Sequence, residues 1–287
     1  MLRHMRLFLK MIPQIRLLFK AASLGLLAAL FSLGPTATWY LLAEQSKQQL
    51  TPIQRELERQ RQRLKSEDIE ERRDALMRLG NLKRPDASRI AAAGLTDVAP
   101  MVRVAATHAI LALPQAEAAT LLVPLLQDKL EFVRRETAYA LGETHSHTAA
   151  PALESVLLND KETSVQAAAA VALGEIGKES SVQSLSEVLT GQSEKKKKSK
   201  AESNEFVRRA AARSLGQIKS RSGVGVLIAT LTNEANDNDV RREAAAALGL
   251  IGDPSAVPAL QAAFTSSDPY LSQAARDALR RLTATKN

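Results

Sequence analysis

VRREAAAALGLIGDPSAVPAL, residues Val240–Leu260, recurs in close copies along most of the chain. Aligned on the opening valine, equivalent positions fall at Glu71, Val102, Val133, Val165, Val207, Val240 and Leu271, at intervals of 31, 31, 32, 42, 33 and 31 residues. Four residues on, every copy has a small side chain: Ala75, Ala106, Thr137, Ala169, Ala211, Ala244 and Ala275. Eight on, every copy has a large aliphatic one: Leu79, Ile110, Leu141, Leu173, Leu215, Leu248 and Leu279. Offsets 0, 4, 7, 8 and 11 share one arc of an α-helix, so each copy carries a stripe that must be buried. Five copies have glycine at offset nine (Gly80, Gly142, Gly174, Gly216 and Gly249), which predicts that the helix ends there in a left-handed cap.

Between the copies lie second apolar segments, such as Ala149–Leu158 and Ser255–Phe264, that read as partner helices. A period in the low thirties built from two helices is the signature of an α-solenoid, in which each pair buries its face only against its neighbours. The expected fold is therefore all-α, with seven helix pairs from about Pro52 to Leu282. The pattern resembles the HEAT-repeat family, in the variant also found in phycobilisome-lyase-like proteins, over roughly four-fifths of the chain. The resemblance implies a ladder of Asp and Arg along the stack. Arg103 and Arg134, each six residues after an aspartate (Asp97 and Asp128), fit it, while Gln166 and Ser272 interrupt it.

The chain has no cysteine, which excludes disulfides and thiolate metal sites. Five of its 39 Lys and Arg stand in residues 1–20 with no acid among them, leaving 34 bases against 31 acids elsewhere. A nearly balanced solenoid does not point to specific nucleic-acid binding. Residues 21–43, AASLGLLAALFSLGPTATWYLLA, carry no charge. As a helix they would span roughly 34 Å against a hydrocarbon core of about 30 Å, so they read as a transmembrane helix, with a cleaved signal peptide as the alternative. The basic, partly amphipathic segment 1–20 then lies in the cytoplasm, and the solenoid across the membrane, periplasmic in a Gram-negative cell.

Residues 44–66 are highly charged and form either a short coiled-coil stalk or the capping helix of the solenoid, which occupies 67–287. The 42-residue interval holds an insertion, 191–204, expected to be a flexible surface loop. Its Lys195, Lys196, Lys197, Lys198 and Lys200 are candidates for contact with anionic lipid or an acidic partner. Offsets 2, 3, 6 and 10 point away from the buried stripe, toward the concave surface of a solenoid. The candidate protein-binding residues there are Arg135, Glu136, Tyr139 and Glu143 in the third copy, Arg209, Arg213 and Gln217 in the fifth, and Arg242 and Glu243 in the sixth.

No nucleophile with its base, phosphate loop or dinucleotide turn has the required spacing, so no catalytic residue, metal or cofactor is expected. Deoxyhypusine hydroxylases, which are HEAT-like, bind two irons through His-Glu pairs; the matching positions here are Arg135-Glu136 and Arg242-Glu243, and arginine is no iron ligand. His145 and His147 could reach one metal but lack a third ligand, and His108 faces outward without an evident acid partner. The functional expectation is a membrane-anchored scaffold or adaptor for a protein partner, on its own or as a subunit of a membrane complex, of unspecified oligomeric state. A phycobilin lyase-like enzyme is the alternative.

Overall fold

The computed structural model describes residues 50–191 and 201–284. The proposed membrane span and the lysines of the insertion lie outside them. Among the described residues there are fourteen α-helices and no strand, and no helix is long and apolar enough to cross a membrane. Of the unit Met1–Glu56, the described residues 50–56 make the opening of the first helix; the unit Leu57–Asn287 holds the repeats.

The helices alternate in role. The first of each pair are α1 (Pro52–Arg63), α3 (Pro85–Ala91), α5 (Gln115–Leu122), α7 (Ala150–Asn159), α9 (Val182–Leu189), α11 (Val224–Thr232) and α13 (Val257–Phe264). The second are α2 (Ile69–Asn81), α4 (Pro100–Ala109), α6 (Glu131–Glu143), α8 (Thr163–Ile176), α10 (Ala201–Ile218), α12 (Asn238–Ile251) and α14 (Pro269–Ala284). Each second helix is one copy of the repeat, so seven pairs stand where the period predicts them. α10 starts at Ala201, so the last four residues of the expected loop are helical.

The stripe is the core. All seven residues at offset four are fully buried, and so is offset zero from the second copy onward. Offset eight is buried in six copies; Leu279 in the last, which has no following repeat in the described chain, is only partly covered. Leu57 of α1 joins the same core, with Leu64 packed against it.

The glycines do something other than expected. Gly80, Gly142, Gly174, Gly216 and Gly249 are all helical and have negative φ. They mark where the next second helix comes closest: a Cβ added at Gly216 would lie 2.7 Å from the Cα of Ala247, and one at Gly249 2.7 Å from the Cα of Ala278. Offset nine of one copy thus faces offset seven of the next, and a side chain there would hold the helices apart. The left-handed residue comes three positions later, at Gly177 and Gly252, and in other copies the same turn is made by Lys83, His145 and Lys219.

The ladder exists and runs between repeats. Arg72 donates from Nε and Nη2 to Asp97 (2.7 and 2.8 Å), Arg103 to Asp128 (2.7 and 3.0 Å), and Arg134 to Asp160 (2.7 and 2.9 Å). The same arginine uses Nη1 to hold the loop of its own repeat, Arg103 on the carbonyl of Asp97 and Arg134 on that of Asp128. Each guanidinium therefore ties two loops with geometry only arginine can supply. Gln166 keeps the bond to its own loop, at the carbonyl of Asp160, and has no second arm to send onward. In the fifth copy Arg208 resumes the ladder on a neutral partner, Asn236.

Candidate functional site

The second helices stack side by side in a closely packed row, while the first helices touch one another less. The exposed edge of the second-helix row is the face that carries the sequence-predicted site residues. Arg135, Glu136 and Tyr139 are half-buried and Glu143 is exposed on α6; Arg209 is half-buried, and Arg213 and Gln217 are exposed, on α10; Arg242 and Glu243 are half-buried on α12.

These residues form two groups rather than one. On α6, Arg135 donates to Glu136 at 3.0 Å, and the Glu136 carboxylate also stands 3.9 Å from Nε2 of His108 on α4. His108 thus has an acid partner, supplied by the next repeat, which a search along its own helix could not reveal. The second group links α10 to α12 and α14. Arg213 reaches Glu243 at 2.6 Å, Arg209 reaches Asp239 at 3.2 Å, and Arg242 bonds Asp239 on its own helix and Asp268 at 2.6 Å. The Arg242 bond holds the Asp268 carboxyl below the usual carboxylate range. Arg242 also lies 5.0 Å over the ring of Tyr270, which is 71% exposed.

Between the groups lies α8, whose matching positions are Ala167, Ala168 and Val171. Ala167 and Val171 are half-buried and Ala168 fully buried, so these three positions carry no charge, and the fourth, at offset ten, is the exposed Glu175. Burial pushes the Glu175 carboxyl up, and the nearby charge of Glu143 pushes it further. His145 places Nδ1 2.9 Å from the carbonyl of Glu175. Among the described residues no group of three or more His, Asp or Glu is arranged to hold a metal ion.

Three features of this face escaped the sequence reading. Asp239 and Asp268 tie down the arginines; apart from the Asp239–Arg242 pair three residues apart on α12, these partners sit a whole repeat away, where nothing local marks them. Tyr270 sits at offset −1, outside the offsets read as outward. A cleft of about 400 Å³ opens between α2 and α4, lined by Met77, Met101, Val104, Ala105 and His108; Met77 and Met101 are 55% and 48% exposed.

A profile described as HEAT repeats matches residues 57–140, 131–204 and 196–280. No curated protein matches the chain. Among solved structures, YibA of Escherichia coli is 18% identical, with 92% of this chain and 98% of that one covered at a TM-score of 0.53. The complex of CpcE and CpcF of phycocyanin lyase from Nostoc is 24% identical over 83% of this chain and 89% of that one, at a TM-score of 0.46. Human deoxyhypusine hydroxylase is 21% identical over 79% and 84%, at 0.41. At such identities YibA speaks for the stacked-helix architecture alone, and the chemistry of the other two does not transfer.

Proposed function

The chain belongs to the HEAT-repeat family, and on that premise we propose that it is a membrane-anchored scaffold or adaptor whose second-helix row holds a protein partner near the bilayer. The observation that carries this reading is the two-part face: paired arginines and acids on α6 and on α10–α12, with the small apolar side chains Ala167 and Val171 of α8 between them. The more closely packed row of a helical solenoid lies on its inner side, where such proteins take up extended ligands. Arginine and tyrosine beside small apolar residues supply the anchors that interfaces use most. The uncharged run 21–43 supplies the membrane anchor, and the five bases before it place the amino terminus in the cytoplasm and the repeats on the other side. Anchoring raises the effective concentration of whatever the row holds.

A photo-crosslinking residue at Tyr139 or Arg213 in native membranes tests the face. Adducts with one protein from these positions, and none from Gln183 or Gln261 on the first helices, are expected; the reverse pattern overturns the assignment. Arg209→Glu with Arg213→Glu should release that protein while leaving the helical circular dichroism unchanged. A reporter fused after Asn287 that is active only in the cytoplasm would sink the topology, and a tetrapyrrole pigment co-purifying with the chain would overturn the scaffold role.

A further inference from the structure

Away from the second-helix row, a cleft of about 550 Å³ opens at the first repeat. Its floor is apolar: Leu64 at the end of α1, Ile90 on α3 and Ala93 in the turn that follows. Its rim is basic, with Arg61, Lys65 and Arg89. The lining also holds Asp86, which bonds Arg84 at 3.0 Å, and Glu117 outside the lining bonds Arg89 at 2.9 Å, so both acids are already engaged. Arg61 meets Glu58 only at 3.7 Å with both side chains about half exposed, and among the described residues no acid forms an ion pair with Lys65. Exposed pairs of this kind are weak and exchange readily for a stronger anion.

An apolar floor under three cationic side chains matches an anionic phospholipid headgroup, with the phosphate at the rim and the glycerol and first methylenes on the floor. The chain itself says which source of phosphate lies close. The uncharged run 21–43 ends nine residues before Pro52. Nine residues reach about 30 Å when fully extended, and the part of α1 up to Arg61 adds roughly 14 Å, so the covalent tether keeps the cleft within roughly 45 Å of that run. We infer that this cleft is a docking site for anionic lipid headgroups, which lays the first repeat against the bilayer surface; the inference rests on the membrane-anchored reading proposed above.

The test uses the full chain in vesicles. Because the protein has no cysteine, Gln62→Cys provides a single attachment point for an environment-sensitive fluorophore beside the rim. Vesicles contain phosphatidylcholine alone or phosphatidylcholine with phosphatidylglycerol, and a quencher is carried on the lipid headgroups. Docking predicts strong quenching only with phosphatidylglycerol, lost as salt rises toward ~1 M. The triple variant Arg61→Gln, Lys65→Gln, Arg89→Gln should weaken the docking equilibrium about 100-fold. A control with Lys219→Gln, Arg276→Gln and Arg280→Gln removes the same charge elsewhere and should retain it. Alkaline carbonate reads the anchor separately. A chain that resists extraction yet shows equal quenching in both vesicles, or no effect of the triple variant, overturns the docking site and leaves the anchor standing. A chain that carbonate extracts overturns the anchor; if it still binds phosphatidylglycerol vesicles through these three residues the docking site holds, and if it does not, both readings fall.

Discussion

At the junction of α4 with α6, Arg103 crosses to Asp128 through bonds of 2.7 and 3.0 Å, both side chains about 10% exposed. At the junction of α10 with α12, the equivalent Arg208 finds only the neutral Asn236, at 2.6 Å. The contact between second helices differs in the opposite sense. α10 and α12 press together over Gly216 and Ala247, whereas α4 ends at Ala109, before its offset nine, which is occupied by Leu111, and it meets α6 less closely. The same fold is thus joined by an ion pair between loops at one junction, and at another by close backbone contact between helices with the ion pairs Arg209–Asp239 and Arg213–Glu243 on their exposed side. The first helices follow suit. α3 and α5 end in 3-10 turns that lead directly to Asp97 and Asp128, while α7, α9, α11 and α13 are preceded by 3-10 turns instead. A solenoid needs each junction to be strong but not to be alike, because each repeat interacts mainly with its neighbours.

The comparison breaks most visibly at the ladder. Arg103→Ala leaves Asp128 partly buried and unpaired and should cost about 3 kcal/mol; hydrogen exchange should rise in α4 and α6 and stay unchanged in α10 and α12. Gly216→Ala should do the converse, at about 2 kcal/mol for overpacking against backbone, with exchange rising in α10 and α12 only. A Gly216→Ala protein with full protection there would show that the close approach is not required.

Acid separates the two junctions more gently. Burial pushes the Asp97, Asp128 and Asp160 carboxyls up, but bonds from Arg72, Arg103 and Arg134 and from backbone amides outweigh it and hold all three below the usual range. A carboxyl whose folded pKa is depressed contributes stability above its unfolded value, near 3.9, and loses it as pH falls through the folded one. Urea titrations below about pH 4 should therefore weaken the first three junctions before the α10–α12 junction. Asn236→Asp should make that junction acid-sensitive as well; unchanged behaviour would mean that Arg208 does not bridge. The smallest effect sharpens the turns. Lys219 holds φ at 57°, and Lys219→Gly should stabilise by about 0.5 kcal/mol, the left-handed strain removed less the entropy glycine adds. A lower melting temperature in that variant would contradict it.

The period, the pairing of helices and the buried stripe were all legible in the chain, because burial of one helical arc imposes a spacing that no other arrangement satisfies. The ladder was half legible. The spacing of six from Asp97 to Arg103 marked both as special, but it reports the bond from Arg103 to the carbonyl of Asp97, not the ion pair. Of the candidate site residues, Glu143, Arg213 and Gln217 are exposed and the other six half-buried, and neither their division by α8 nor their acid partners in other repeats were visible in the chain.

A local repeat of small and aliphatic side chains is enough to require neighbours of the same kind, so the seven helix pairs of the described residues follow from the amino-acid sequence alone. Only the tertiary structure decided how those neighbours meet. The glycine at offset nine reads locally as a helix end and becomes a point of contact once the next helix arrives. The aspartates engage arginines roughly 25 residues earlier in the chain because stacking, not sequence proximity, brings one loop beside the next.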